Sequence, residues 1–337
     1  MCTTGALKTM IPIAEMLPWE ETPLWKLAAQ AGATHAVGYF RSTGTLPDRP
    51  WELEPLRGLK DRFERAGLHL SVMECGPPMQ KIRLGLTGRD EEIDLFCDML
   101  RNMGELGIPV LCYNFMAVFG WMRTRLSIPA RGGALVTGYY HEDVENLPLT
   151  EHGTVTEERL WENFEYFIRR VVPVAEKANV KLALHPDDPP LSPIRGIGRI
   201  FRSVEAFQRA LDLAPSEYNG ITMCQGNFTL MTEDLPFVIR HFGRQGRIHF
   251  VHFRDVLGTP EHFVETFHEA GQTDMLACMR AYKDIGFSGV LRPDHVPTME
   301  GDPNDDPCYS SIGRLLAIGY ITGLQEAVFG KQRQPTG

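Results

Sequence analysis

The chain is short of the features that mark nucleic-acid-binding, membrane or disulfide-stapled proteins. Basic residues are the minority, 34 Lys and Arg against 43 Asp and Glu, for a formal net charge of −9. With no basic footprint, nucleic acid and anionic membrane are excluded as partners, and a small anionic substrate would need a local positive site. No run approaches the roughly 18 consecutive apolar residues of a membrane span. The opening stretch MCTTGALKTMIPIAEMLPWEE has no basic start leading into a long apolar segment. The seven cysteines (Cys2, Cys75, Cys97, Cys112, Cys224, Cys278 and Cys308) are odd in number and form no CxxC pair, which excludes a disulfide framework. A soluble protein of a reducing, cytoplasmic compartment is expected. Internal repeats, low-complexity tracts and a glycine-rich first turn are also missing.

What is present is an ordinary globular mix, 43% hydrophobic and 23% charged over 337 residues. Eight short apolar, β-branched or aromatic runs recur: LKTMIPI, THAVGYF, LHLSVMEC, PVLCYNFM, VKLALH, GITMCQG, RIHFVHFRD and GVLRPDH. Longer segments with helical spacing lie between them, among them PLWKLAAQAG, LRGLKDRFERAG, EEIDLFCDMLRNMGELG and RLWENFEYFIRRVVPVAEKAN, and several end in Gly as helix C-termini prefer. Strand alternating with helix predicts an α/β protein. Eight such units close most simply as a (β/α)8 TIM barrel, since an open doubly wound sheet would carry the missing glycine-rich turn. The expected organisation is one barrel domain over 1–330, an irregular insertion at about 118–158 after the fourth strand, and a loose tail at 331–337. The insertion falls on the C-terminal face, where barrels of this kind keep their active sites, and is placed to act as a lid.

The last four strand candidates end on polar residues: His185 after LAL, Cys224 after ITM, His252 after HFV, and Asp294 with His295 after LRP. In a barrel those ends ring one mouth. Nitrogen, sulfur and oxygen donors together suit Fe2+, Zn2+ or Mn2+ better than Mg2+ or Ca2+. Alternation turns His249 away from His252 and packs it outside the barrel, while Arg254 shares the His252 face and is positioned to grip a substrate carboxylate. Glu74 ends the third strand, and Tyr113 and Asn114 end the fourth. Asp187 and Asp188 are explained as turn formers, one of them with a supporting place beside the site. Tyr309, ahead of the last helix, is a candidate acid or base.

Taken together and in order, LALHPDDPP, GITMCQGN, HFVHFRD, FHEAGQTDM, LRPDHVP and YSSIGRLLAIGYITGL resemble the mannonate dehydratase family. The likeness is strongest from about Val180 to Leu324 and continues more weakly through HLSVMEC and VLCYNFM, with Trp121 and Arg123. The resemblance implies a metal-dependent barrel lyase that turns D-mannonate into 2-keto-3-deoxy-D-gluconate with Mn2+ or Fe2+, ahead of Zn2+, and that self-associates. It also implies His185, Cys224, His252 and Asp294 as metal ligands, with His295, Tyr309 and Arg254 as the catalytic group. Glu74, Asn114, Arg123 and Asp188 are then placed beside the substrate. The first strand, Met79, Ala117 and Gly120 depart from the family pattern on the sugar side of the mouth. The same site suits two other readings, a metal-dependent sugar isomerase or epimerase and a non-catalytic sugar-acid binding protein.

Overall fold

The computed structural model describes residues 10–41 and 44–330. Its first six strands are β1 Ala14–Leu17, β2 His35–Gly38, β3 His69–Met73, β4 Val110–Asn114, β5 Arg125–Pro129 and β6 Leu135–Tyr140. The other six are β7 Lys181–His185, β8 Asn219–Cys224, β9 Ile248–Phe253, β10 Val256–Thr259, β11 His262–Glu265 and β12 Leu291–Pro293. Eight of them form one parallel sheet in the order β1-β2-β3-β4-β7-β8-β9-β12. The sheet closes where Ile13 bridges Leu291 and the Leu291 amide donates to Pro12 O at 3.2 Å. The expected (β/α)8 barrel is therefore the fold.

Strand alternation sorts the core into two layers. Inside the barrel lie Ala14, Met16, Val37, Val72, Val110, Cys112, Ala183 and Phe250. Their sequence neighbours, such as Leu182, Leu184, Ile221, Met223, Val251 and Phe253, pack outward against the helices. Those helices begin and end where their caps dictate. Ser203, Asp234 and Asp274 accept hydrogen bonds from Ala206 N, Phe237 N and Ala277 N, and Gly32, Gly85 and Gly107 close helices in the left-handed region. None of the described helices is long and apolar enough to cross a membrane.

Two expectations need correction. The first barrel strand is Ala14–Leu17, later than LKTMIPI, because Pro12 has no amide to donate and contributes only its carbonyl, to the Leu291 amide. Leu7, Lys8 and Thr9 of that stretch lie outside the described residues, as does the tail at 331–337. The segment after β4 is also not irregular. It forms a hairpin, β5 with β6, turned through Gly132 and Gly133 at φ 66° and 86°. That hairpin joins β10 and β11 in a four-stranded antiparallel sheet ordered β10-β11-β6-β5. Two short helices, Gln80–Leu84 and Gln225–Thr229, follow β3 and β8.

His249 faces out of the barrel as expected. Its Nδ1–H donates to Leu182 O at 2.7 Å, while Nε2 is buried without a partner. Burial pushes its pKa down to about 4, below the roughly 6.5 of an unfolded histidine. The unfolded chain therefore binds the extra proton in that window, so stability is complete above it and declines as pH falls towards about 4. Denaturant titrations across the window should show a slope of up to about 1.4 kcal/mol per pH unit from this group, and His249→Gln should flatten that part.

Candidate metal centre and active site

A cavity of about 350 Å³ opens at the C-terminal mouth of the barrel, lined among others by Glu74, Asn114, His185, His252, Asp294, His295 and Tyr309. Cys224 lies at the same depth one strand from His252, with which it is paired in register. The donor atoms of His185, Cys224 and His252 all lie within 4.8 Å of one another. Asp294 Oδ2 is 3.5 Å from His252 Nδ1 and 3.9 Å from Cys224 Sγ. Inward parity at four neighbouring strand ends brings these residues together.

The donor set fits a divalent cation. His185 Nδ1 lies 2.8 Å from Pro186 O, which makes it the protonated nitrogen and leaves the Nε2 lone pair facing the site. That lone pair meets His252 Nδ1 at 3.2 Å, while His252 Nε2 faces Glu74 Oε2 at 3.3 Å without completing a hydrogen bond. Two imidazole nitrogens so placed need a cation or a proton between them. The surrounding charge makes the same demand. Glu74, Asp188, Glu265, Asp294 and the Cys224 thiolate face three arginines, Arg123, Arg254 and Arg292, and the rings of His252 and His295. Burial opposes a positive charge on His252, but Glu74 and Asp294 outweigh it and raise its pKa well above the usual range. Burial likewise opposes ionisation of Cys224, yet Arg254 and His185 pull the thiol down to about 5. Arg292, His295 and His252 hold Asp294 well below the usual carboxylate range against its burial.

Three expectations about substrate contact are revised by this geometry. Arg254 is not free to grip a carboxylate, because every nitrogen of its fully buried guanidinium has a protein partner. Its Nε lies 3.4 Å from Cys224 Sγ and 3.1 Å from Asp294 Oδ2, Nη1 meets Glu265 and His295 Nδ1, and Nη2 donates to Asp188 Oδ2 and Asn227 Oδ1. Gly226 makes room for it, since a Cβ there would stand 2.8 Å from Arg254 Nε. Arg123 is buried behind the cavity, bidentate to Asp188 at 2.6 and 3.0 Å and bonded to Glu265 through Nε at 3.1 Å. Asp188 lines the cavity, but both of its oxygens are taken by the two arginines. Glu74 and Asn114 do line the cavity.

His295 is held from one side. Its Nδ1 lies 2.9 Å from both Glu265 Oε1 and Arg254 Nη1, and its backbone sits at φ 33°. Its ring packs 5.1 Å from Trp121 and 5.5 Å from Tyr309. Sequence reasoning missed Arg292 and Glu265. Arg292 was within reach, since it stands two residues before Asp294 on the same face, and it grips Glu74 at 2.8 and 2.9 Å. Glu265 comes from the added sheet, and nothing in HFVE marks it.

The fold is a (β/α)8 barrel of the xylose-isomerase-like shape, with nitrogen, sulfur and oxygen donors that could hold a metal at its mouth. In fold alone it matches the crystal structure of a xylose isomerase domain protein from Planctomyces limnophilus, with TM-score 0.62, 13% identity, and 95% and 99% of the two chains covered. The family model described as D-mannonate dehydratase (UxuA) matches residues 20–152 and 146–334. The mannonate dehydratase of Thermotoga neapolitana is 39% identical over 324 residues, 85% of this chain and 89% of its own. The crystal structure of mannonate dehydratase from Streptococcus suis serotype 2 superposes at TM-score 0.87 with 34% identity, covering 98% of this chain and 99% of that one. The chain belongs to the mannonate dehydratase family, which places it among the hydro-lyases and disfavours the isomerase, epimerase and binding-protein readings.

Arg254→Met should destabilise the protein by about 3–5 kcal/mol, because it leaves several buried acidic groups uncompensated. Urea denaturation measures this. A raised KM at unchanged stability would instead mark Arg254 as a substrate arm.

Proposed function

We propose that the protein removes water from a six-carbon aldonate, D-mannonate by analogy with its relatives' names, and releases a 2-keto-3-deoxy acid. The observation that carries this reading is the convergence of His185, His252 and Asp294, backed by the buried Cys224, with His295 and Tyr309 at one cavity. His185, Cys224, His252 and Asp294 would hold the metal, and a thiolate among nitrogen and oxygen donors favours Mn2+ or Fe2+ over harder ions, with Zn2+ behind them. When bound, the ion supplies a Lewis-acid charge beside the carboxylate as negative charge develops there.

The chain's own residues handle the protons. Burial pushes the Tyr309 hydroxyl well above its usual pKa, so it stays protonated at neutral pH and suits the acid role. With His295 Nδ1 engaged by Glu265 and Arg254, Nε2 is left for the base role. The C2–H bond breaks with its proton passing to His295. The C3–O bond breaks, and the hydroxyl leaves as water with a proton from Tyr309. The resulting enol becomes the ketone as C3 gains the proton held by His295 and the C2 hydroxyl returns its proton to Tyr309. Trp121 against the His295 ring restricts how far that ring can turn.

His295→Asn and Tyr309→Phe should each lower kcat on the order of 10²–10⁴-fold while leaving metal content unchanged. Chelation should abolish turnover, and anaerobic Mn2+ or Fe2+ should restore a product lighter by one water in mass spectrometry. Cys224→Ala should bind no metal. A metal-dependent product of unchanged mass would replace this reading with isomerisation.

A further inference from the structure

A cavity that receives an anion needs a cation that the protein has not already paired. Arg41 is taken by Asp306 at 2.9 Å. Arg292 is taken by Glu74 at 2.8 Å and Asp294 at 2.9 Å, and Arg254 and Arg123 are sealed beneath the floor. Arg83 is different. It lines the cavity, and among the described residues no carboxylate lies within ion-pair distance of its guanidinium. Nη2 donates only to neutral acceptors, Asn114 O at 2.9 Å, Asn114 Oδ1 at 3.0 Å and Met79 Sδ at 4.0 Å, while Nε is buried with no partner. Burial lowers its pKa to about 10, with Asp187 and Glu92 opposing only from a distance, so the group remains charged at neutral pH.

The fold holds this unpaired charge in place. Arg83 sits in the short helix Gln80–Leu84, anchored by buried Ile82 and Leu84 and ended by Gly85 at φ 66°. Asn163 Nδ2 donates to Arg83 O at 2.9 Å, and Glu92 Oε2 accepts from Ile82 N at 3.1 Å. Asn114, which orients the guanidinium, is the register partner of His185. Arg83 therefore stands one strand from the donor cluster. The Tyr113 hydroxyl, also buried and unpartnered, belongs to a residue lining the same cavity.

We propose that Arg83, oriented by Asn114, receives the carboxylate of the aldonate substrate. This is the local positive site that an acidic chain needs for an acidic substrate, and it rests on the sugar-acid reading above. A planar fork fits a carboxylate in a way that a point charge does not.

The test compares binding of D-mannonate and its neutral amide to the metal-loaded protein by calorimetry, with melting temperature as the folding control. Arg83→Gln should weaken aldonate binding on the order of ten- to a hundredfold at unchanged melting temperature, and the aldonate-over-amide preference of the natural protein should disappear. Arg83→Lys should recover part of the affinity. Unchanged aldonate affinity in Arg83→Gln, or an equal loss for acid and amide, overturns the proposal. If the natural protein binds the aldonate through Arg83 but forms no product, the dehydratase reading fails while the carboxylate site stands. If product forms and Arg83→Gln changes neither affinity nor KM, the carboxylate site alone fails.

Discussion

A single guanidinium, that of Arg254, organises the active site. It has no exposed surface and meets a thiolate and three carboxylates at once, those of Cys224, Asp294, Asp188 and Glu265. A buried cation without partners is strongly unfavourable, so these acidic groups must stay ionised and in place for the barrel to fold as it does. Each of them then fixes something else. Glu265 orients His295, Asp188 secures Arg123, and Asp294 and Cys224 present their donor atoms to the mouth. The mixed donor set and His295, the proposed base, thus share one electrostatic foundation.

That foundation does not balance itself. The acidic groups outnumber the arginines around them, and the His185 Nε2 lone pair faces His252 Nδ1 at 3.2 Å. Barrel geometry produces this crowding, because parallel strands of equal parity deliver their last inward side chains to one ring. A divalent cation resolves the mismatch, so the same ion that would serve chemistry would also serve stability.

How much of this was legible in the sequence depended on distance along the chain. His185, Cys224, His252 and Asp294 could be read because each follows a short apolar run, and strand alternation says which way it points. Parity gives direction but not partners. It placed Arg254 on the correct face, yet could not show that Asp188, Glu265 and Cys224 fill its reach. Glu265 was invisible for a related reason, since its strand forms a hairpin with β10 and reaches the site by pairing also with β6, more than a hundred residues earlier. The same long-range pairing hid the sheet within the segment after β4. Arg83 lay in a stretch with prolines before it and too few residues to show a helical period.

The added sheet has a mechanical consequence. Arg123 precedes β5 and Glu265 ends β11, and both are locked into the buried ion network under the site. To swing the two hairpins outward, the molecule would have to pull Arg123 away from Asp188 and Glu265 and loosen the group that steadies His295. This part of the protein is a bolt and not a flap. Any movement of the hairpins is thereby coupled to the ion network that positions His295, so the outer sheet and the floor of the site shift together or not at all.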